Sequence, residues 1–188
     1  QISDAIEMSA LAAKVIGAKP DEVLIANTGV IGINLPMPAI RAAMKKLTMK
    51  PDGGHDFEQA IMTTDTVPKE VAVTVKNGAN SFTIGGIAKG SGMIHPNLAT
   101  MLVFLTTDAF VTTAYLKKSL HDAAAISFNM ISVDGDTSPS DTLLLLANGM
   151  AKNELITAKS SLAQVFQQAL NQVCVYLAKA IARDGEGA

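Results

Sequence analysis

The chain has 188 residues, 48% of them hydrophobic, which supplies a core for one ordinary domain or two small ones and excludes a disordered chain. Its 15 basic and 17 acidic residues leave a net charge of -2, and no block of like charge marks a nucleic-acid footprint or a membrane-binding face. A small-molecule or protein partner is expected.

Asp4 followed by Glu7 resembles a capping box, and Ala5, Met8, Ala12 and Val15 then share one helical face until Gly17 ends the helix. "EVLIAN" (Glu22 to Asn27) is too short for a typical helix and reads as a buried strand delivering the turn "TGVIG". Pro36 and Pro38 mark a new start, with Met37, Ile40, Met44 and Leu47 at helical spacing, and "KPDGGHD" (Lys50 to Asp56) reads as a loop. Val71, Val73 and Val75 alternate with neighbours of mixed polarity, Asn77-Gly78 supplies a turn, and Phe82 and Ile84 resume the alternation. That is the signature of a β-hairpin. Its second strand runs into "GGIAKGSGMIHPNLAT", a loop leaving the end of a sheet, and "MLVFLTTDAF" reads as the next strand.

Beyond Thr112, the spacing of Thr113, Leu116, Leu120 and Ala123 predicts a helix. In "ISFNMISVDGDTSPSDTLLLLANG" strand-like segments flank a loop rich in Asp, Gly, Ser and Pro. Ser160 to Arg183 keeps Leu162, Phe166, Ala169, Val173, Tyr176 and Ala180 in helical register and ends at Asp184-Gly185. Helices and hairpin strands without regular βαβ alternation predict the α+β class.

"GGIAKGSG" has the glycines and lysine of an anion-binding loop, but Lys89 precedes Gly90 and a strand-like run follows, where a Walker loop needs Lys then Ser or Thr and a helix. A glycine-rich turn with an exposed lysine is the simpler reading. Thr100 differs in kind. On spacing alone it is a strand-edge threonine. If the preceding peptide bond is cut, however, its own α-amine, titrating near 8, becomes a base beside its hydroxyl. Gly90 and Gly92 would let the segment bend so that the Thr100 hydroxyl attacks the Ala99 carbonyl. His55, His95 and His121 have no metal-ligand spacing. Cys174, the single cysteine, falls in an apolar helical pattern and reads as a core residue, so no disulfide framework is present.

In chain order, "TGVIG", "MTTDTVPK", "GGIAKGSGMIHPNLATML", "TTDA", "SFNMISVDGDTS" and "RDGEGA" resemble the motifs of the ornithine acetyltransferases, also called glutamate N-acetyltransferases of the arginine pathway. The match covers essentially the whole chain. Family members run further on both sides, in keeping with ends, Gln1 and "DGEGA", that look cut.

The resemblance implies a layered sandwich of mixed β-sheets covered by helices, and a single catalytic region over 1–188 in which 1–99 ends an α chain and 100–188 begins a β chain. It makes Ala99-Thr100 the self-cleavage bond and Thr100 the nucleophile that takes an acetyl group from N2-acetylornithine before glutamate collects it. By the same resemblance, Thr28 and Gly29 form the oxyanion hole, while Lys89, Glu186 and Thr63 contact substrate. Thr64 is the competing register for the last of these, because Thr63-Thr64-Asp65-Thr66 alternates faces if extended. The chain departs from the family in "NLAT", where methionine often precedes the alanine, and at Pro139 and Ser140, where threonine and asparagine are more usual; the second change bears on the conformation of that loop.

No metal and no cofactor are expected, with acetyl-CoA left open as a co-substrate. The expected partners are acetylornithine, glutamate and the chain's own other processed piece in an α2β2 assembly. Apolar runs such as "LLLLA" fall short of the roughly 20 residues of a membrane-spanning helix, and no basic-then-apolar leader opens the sequence. A reducing, cytoplasmic setting is the expectation. Two rivals stand beside this reading: an N-terminal-nucleophile aminopeptidase or amidohydrolase of the same fold, and a non-catalytic amino-acid-binding protein with Thr100 in an intact peptide.

Overall fold

Alternating residues in β1 (Glu70–Asn77), β2 (Asn80–Lys89) and β3 (Leu102–Thr107) and the apolar run of β4 (Thr142–Ala147) build a sheet of four strands. The computed structural model describes residues 1–30, 32–95 and 101–187, which form two compact units, Gln1–His55 and Asp56–Ala188. The sheet belongs to the second. Its order is β1-β2-β3-β4, antiparallel except for the parallel pair β3-β4. The α+β class therefore holds, with one mixed sheet among the described residues.

One sheet face carries Val73, Ile84, Val103, Leu105 and Leu143, and the helix α5 (Ala163–Arg183) lies on β1 and β2. The periodicity of α5 is the reason. Phe166, Leu170, Val173, Leu177 and Ile181 fall on one side and are fully buried, each contributing about 1.5–3 kcal/mol when withdrawn from water. Cys174 sits among them, and burial pushes its thiol up to about 12, which leaves it an inert core residue. The helix α4 (Thr113–Ala125) packs on α5. On the other sheet face, Phe57 of α3 (Gly54–Ile61) stacks edge-on against Phe104, with ring centroids 5.2 Å apart. Among the described residues no helix is long and apolar enough to cross a membrane.

At Gly86 the side chains of α5 pack directly on the backbone of β2. A Cβ there would lie 2.5 Å from Leu105 Cδ2, 2.9 Å from Leu177 Cδ1 and 3.0 Å from Val173 Cγ1. Gly86→Ala is expected to lift α5 off β2 and destabilise the protein by about 1–3 kcal/mol, the usual cost of overpacking. Chemical denaturation of the full-length protein measures it, and an unchanged midpoint would contradict the close approach.

The first unit holds α1 (Ile2–Ile16) and α2 (Met37–Met44), with a 3-10 turn at Pro20–Glu22. Arg41 Nη2 donates to Glu7 Oε2 at 2.8 Å, joining the two helices. Gly17 closes α1 at φ 72, the left-handed value that favours glycine.

Four expectations are corrected here. α1 starts before Asp4, with Gln1 at the N-cap and no side-chain cap, so Asp4 supplies first-turn charge instead of a capping box. The stretch Glu22 to Asn27 is not a strand, and Leu24 is 63% exposed. A strand needs a ladder partner, and the first unit offers none among the described residues. The end of the expected 50–56 loop already belongs to α3. The segment before the Asp-rich loop is a 3-10 turn, Phe128–Met130, because Phe128 is buried while Met130 points to solvent, a pattern that does not alternate.

Candidate active site

The second hairpin strand ends at Lys89, and the glycine loop begins there. Gly90 takes φ 148 and Met93 takes φ 55, so the bend falls on Gly90, where glycine is favoured, and on Met93, where it stores strain. Gly92 has no positive φ. It leaves space instead, since a Cβ at 92 would lie 2.8 Å from the Glu186 carboxyl carbon and from its Oε2.

Three segments pin this loop. Gly90 N–H donates to Asp65 Oδ1 at 2.7 Å, Thr64 Oγ1 and Ser91 Oγ share a hydrogen bond of 2.7 Å, and Glu186 N–H donates to the Ser91 carbonyl at 2.7 Å. Asp134 accepts from the backbone N–H groups of Met93 and, at 3.0 Å, Ile94. Val133 N–H donates to the Ile94 carbonyl at 2.8 Å, and His95 Nδ1 shares a hydrogen bond of 3.2 Å with Ser132 Oγ. Burial would raise the Asp134 carboxyl, but the N–H donors of Asp136, Met93 and Ile94 outweigh it and hold the group below its ordinary value.

Beneath the loop lies an ionic cluster. Lys69, 1% exposed, donates through Nζ to Asp65 Oδ1 at 2.7 Å, Asp184 Oδ2 at 2.6 Å and the Val67 carbonyl at 3.3 Å. All three ammonium protons are thereby placed. Asp65 also accepts the Thr63 N–H at 3.1 Å, and Asp184 accepts the Thr66 N–H at 2.9 Å together with the Thr66 hydroxyl. The Lys69 N–H donates to Glu58 Oε1 at 2.7 Å, and Glu58 is itself buried. Burial pushes Asp184 up, yet Lys69 and the two Thr66 donors reverse this and hold it at about 2. Asp65 is lowered in the same way, burial being outweighed by the Gly90 N–H, Lys69 and the Thr63 N–H.

Lys89 is 2% exposed. Burial lowers its ammonium below the ordinary lysine value, Asp65 and Asp141 raise it, and Lys69 lowers it further. Lys89 faces Leu102 in the β2-β3 register, and Leu102 faces Thr142 in the β3-β4 register. Three strand ends therefore meet in one row. One residue beyond that row, Asp141 Oδ1 accepts the Met101 N–H at 2.8 Å, and the Met101 carbonyl accepts the Thr142 N–H at 3.0 Å.

Of the residues expected from the sequence, Lys89 and Glu186 are brought to the same loop, with Glu186 over Gly92. Thr63 is exposed and touches the cluster through its N–H, whereas the Thr64 side chain is the one bonded to Ser91. Thr28 and Gly29 lie in irregular backbone of the first unit, Thr28 half-buried. Ala99 and Thr100 lie outside the described residues. Sequence reasoning passed over Asp65, Lys69, Asp134, Asp141 and Asp184. Four of these five sit inside the quoted blocks "MTTDTVPK", "SVDGDTS" and "RDGEGA", and Asp141 closes "DGDTSPSD", all polar stretches in which a charge draws no notice.

Fold and loop together define an α+β protein whose glycine loop is held by carboxylates on both sides, and the chain belongs to the ArgJ family, which it matches over residues 1–188. It is 52% identical over 187 residues to the arginine biosynthesis bifunctional protein ArgJ of Dehalococcoides mccartyi, covering 100% of this chain and 46% of that protein. Identity to the protein of that name from Bacillus subtilis is 49% over 187 residues, again 100% of this chain and 46% of the relative. The chain thus spans about 46% of the length of these curated relatives. The crystal structure of arginine biosynthesis bifunctional protein argJ from Bacillus halodurans matches at TM-score 0.44 and 45% identity, over 45% of this chain and 40% of that one.

Proposed function

We propose that this chain is the part of a glutamate N-acetyltransferase that carries the self-cleavage junction, and that the whole protein moves an acetyl group from N2-acetylornithine to glutamate through an acetyl-threonine at Thr100. The double tether supports this most directly. Asp134 holds the backbone at Met93 and Ile94, and Asp141 holds it at Met101, on the two sides of Ala99-Thr100. A scissile bond attacked by its own neighbour needs its flanks fixed.

In the proposed sequence, the Thr100 hydroxyl adds to the Ala99 carbonyl, the Ala99–Thr100 C–N bond breaks, and an ester forms while the nitrogen takes a proton. Water then hydrolyses the ester, leaving a carboxylate on Ala99 and a free amine on Thr100. That amine takes the hydroxyl proton as Thr100 attacks acetylornithine, ornithine departs, and the glutamate amine later collects the acetyl group. The Thr28 hydroxyl and Gly29 N–H serve as donors to the oxyanion. Lys89 pairs with the α-carboxylate common to both substrates, and Glu186 accepts from a substrate amine or amide. No cofactor takes part. The processed pieces assemble as α2β2 in the cytoplasm.

The denatured full-length protein is expected to give two masses, the second beginning at Thr100, and acetylornithine consumption is expected to require glutamate. A single uncut mass with full activity would overturn the reading. Acetate release without glutamate would make the protein a hydrolase, and glutamate acetylation with acetyl-CoA alone would establish a second donor.

A further inference from the structure

Asp141 stands where a sheet ordinarily uses a backbone carbonyl. The first residue of the described chain after the junction, Met101, gives its N–H to the Asp141 carboxylate at 2.8 Å and its carbonyl to Thr142 N–H at 3.0 Å. The support behind Asp141 is itself braced: Ser140 N–H donates to Ser138 Oγ at 3.2 Å, and Thr142 Oγ1 donates to the Ser140 carbonyl at 3.2 Å. Holding an N–H requires only a neutral acceptor, and a partly buried carboxylate is a costly way to supply one. The charge therefore calls for a reason beyond strand pairing.

We propose that Asp141 is a positioning residue for Thr100: its carboxylate anchors the chain at the residue that follows Thr100 and opposes the buried Lys89 ammonium across the ends of β2, β3 and β4. This rests on the reading of Thr100 as nucleophile. Lys89, from β2, is the charge that acts on Asp141. From the α4 side, the cleft of about 450 Å3 that Asp141 lines presents Ala124, Phe128 and Asn129, and from β3 and β4 Met101, Thr142 and Leu143, none of them titratable. Burial pushes Asp141 up to about 6, partly offset by the Met101 N–H and Lys89. The carboxylate is thus charged above that pH and neutral below it, and the cleft lets solvent set its state.

The test follows self-cleavage of full-length protein from cell-free synthesis by denatured mass, at a series of pH values. This step precedes release of the Thr100 amine, and loss of the Asp141 charge is expected to impose an acid limb: the rate should fall as pH drops through about 6 and level off at that of Asp141→Asn. Asp141→Asn keeps an acceptor oxygen and is expected to abolish that limb. Asp141→Ala is expected to slow both cleavage and the kcat of processed protein about tenfold or more, the weight of a charge-assisted hydrogen bond. Asp141→Glu should recover part of the rate. Cleavage by Asp141→Ala at the wild-type rate, or an acid limb that persists in Asp141→Asn, overturns the proposal. Should Asp141→Ala fail to melt as a folded protein, Asp141→Asn alone decides it. Transfer by a Thr100→Ala protein would sink the nucleophile reading instead.

Discussion

Lys69→Ala in the full-length protein is expected to lower stability at pH 7 by about 3–5 kcal/mol, because it leaves two buried carboxylates without their cation. The side chains of Asp65 and Asp184 are 0% and 4% exposed, and both are bonded to Lys69 Nζ. Neither carboxylate can be rehydrated without opening the segment 63–69 from the end of α5. The pH dependence distinguishes this from simple loss of packing. In the wild type, Asp184 is held at about 2 and Asp65 is lowered, so their contribution is complete above the unfolded carboxyl value near 4 and is lost as pH falls toward 2. In Lys69→Ala the same carboxyls protonate readily, so the deficit should shrink between pH 7 and about 4.5. Urea unfolding at the two pH values reads this out. Adding Asp184→Asn to Lys69→Ala should restore part of the loss, since the pair is coupled. A deficit under about 1 kcal/mol at pH 7 would mean that the cluster is not held as an ionic unit.

Thr100→Ala is expected to leave the full-length protein as one uncut chain and to reduce acetyl transfer by about 10⁴-fold or more, since the proposed mechanism gives one hydroxyl both cleavage and acyl transfer. Thr100→Ser keeps both hydroxyl and amine and should still cut and turn over, more slowly. The pair separates loss of the hydroxyl from loss of packing at this position. Denatured mass and a glutamate-dependent transfer assay read both variants, and a Thr100→Ala protein found in two pieces at the same junction would remove Thr100 from the mechanism.

The hairpin and the last helix were legible because each is written in a strong local period. Val71, Val73 and Val75 alternate and pack half-buried against the core, and Leu162, Phe166, Ala169 and Val173 repeat at helical spacing and are buried, whereas Tyr176, expected in the same register, is 50% exposed. "EVLIAN" misled because a short apolar run states only that burial is favoured, and strand formation also depends on a partner. At the candidate site, Lys89 and Glu186 were singled out through the resemblance to the family's motifs, and both lie at one loop. Asp65, Lys69 and Asp184 were not. Lys69 and Asp184 lie 115 positions apart in the chain, and no local spacing rule couples residues at that separation. Asp141 escaped for a related reason: its meaning comes from the parallel pairing of β3 and β4, a crossover that sequence proximity does not announce.

That arrangement of strands has a consequence for what a cut would do to the molecule. β2 lies on one side of the junction and β3 on the other, and they are laced as antiparallel neighbours from Ile84-Thr107 to Lys89-Leu102, with α5 from the later piece resting on β1 and β2 of the earlier one. Severing Ala99 from Thr100 would divide the polypeptide but not its hydrophobic interior. The fragments should co-elute in any native separation and part only in denaturant.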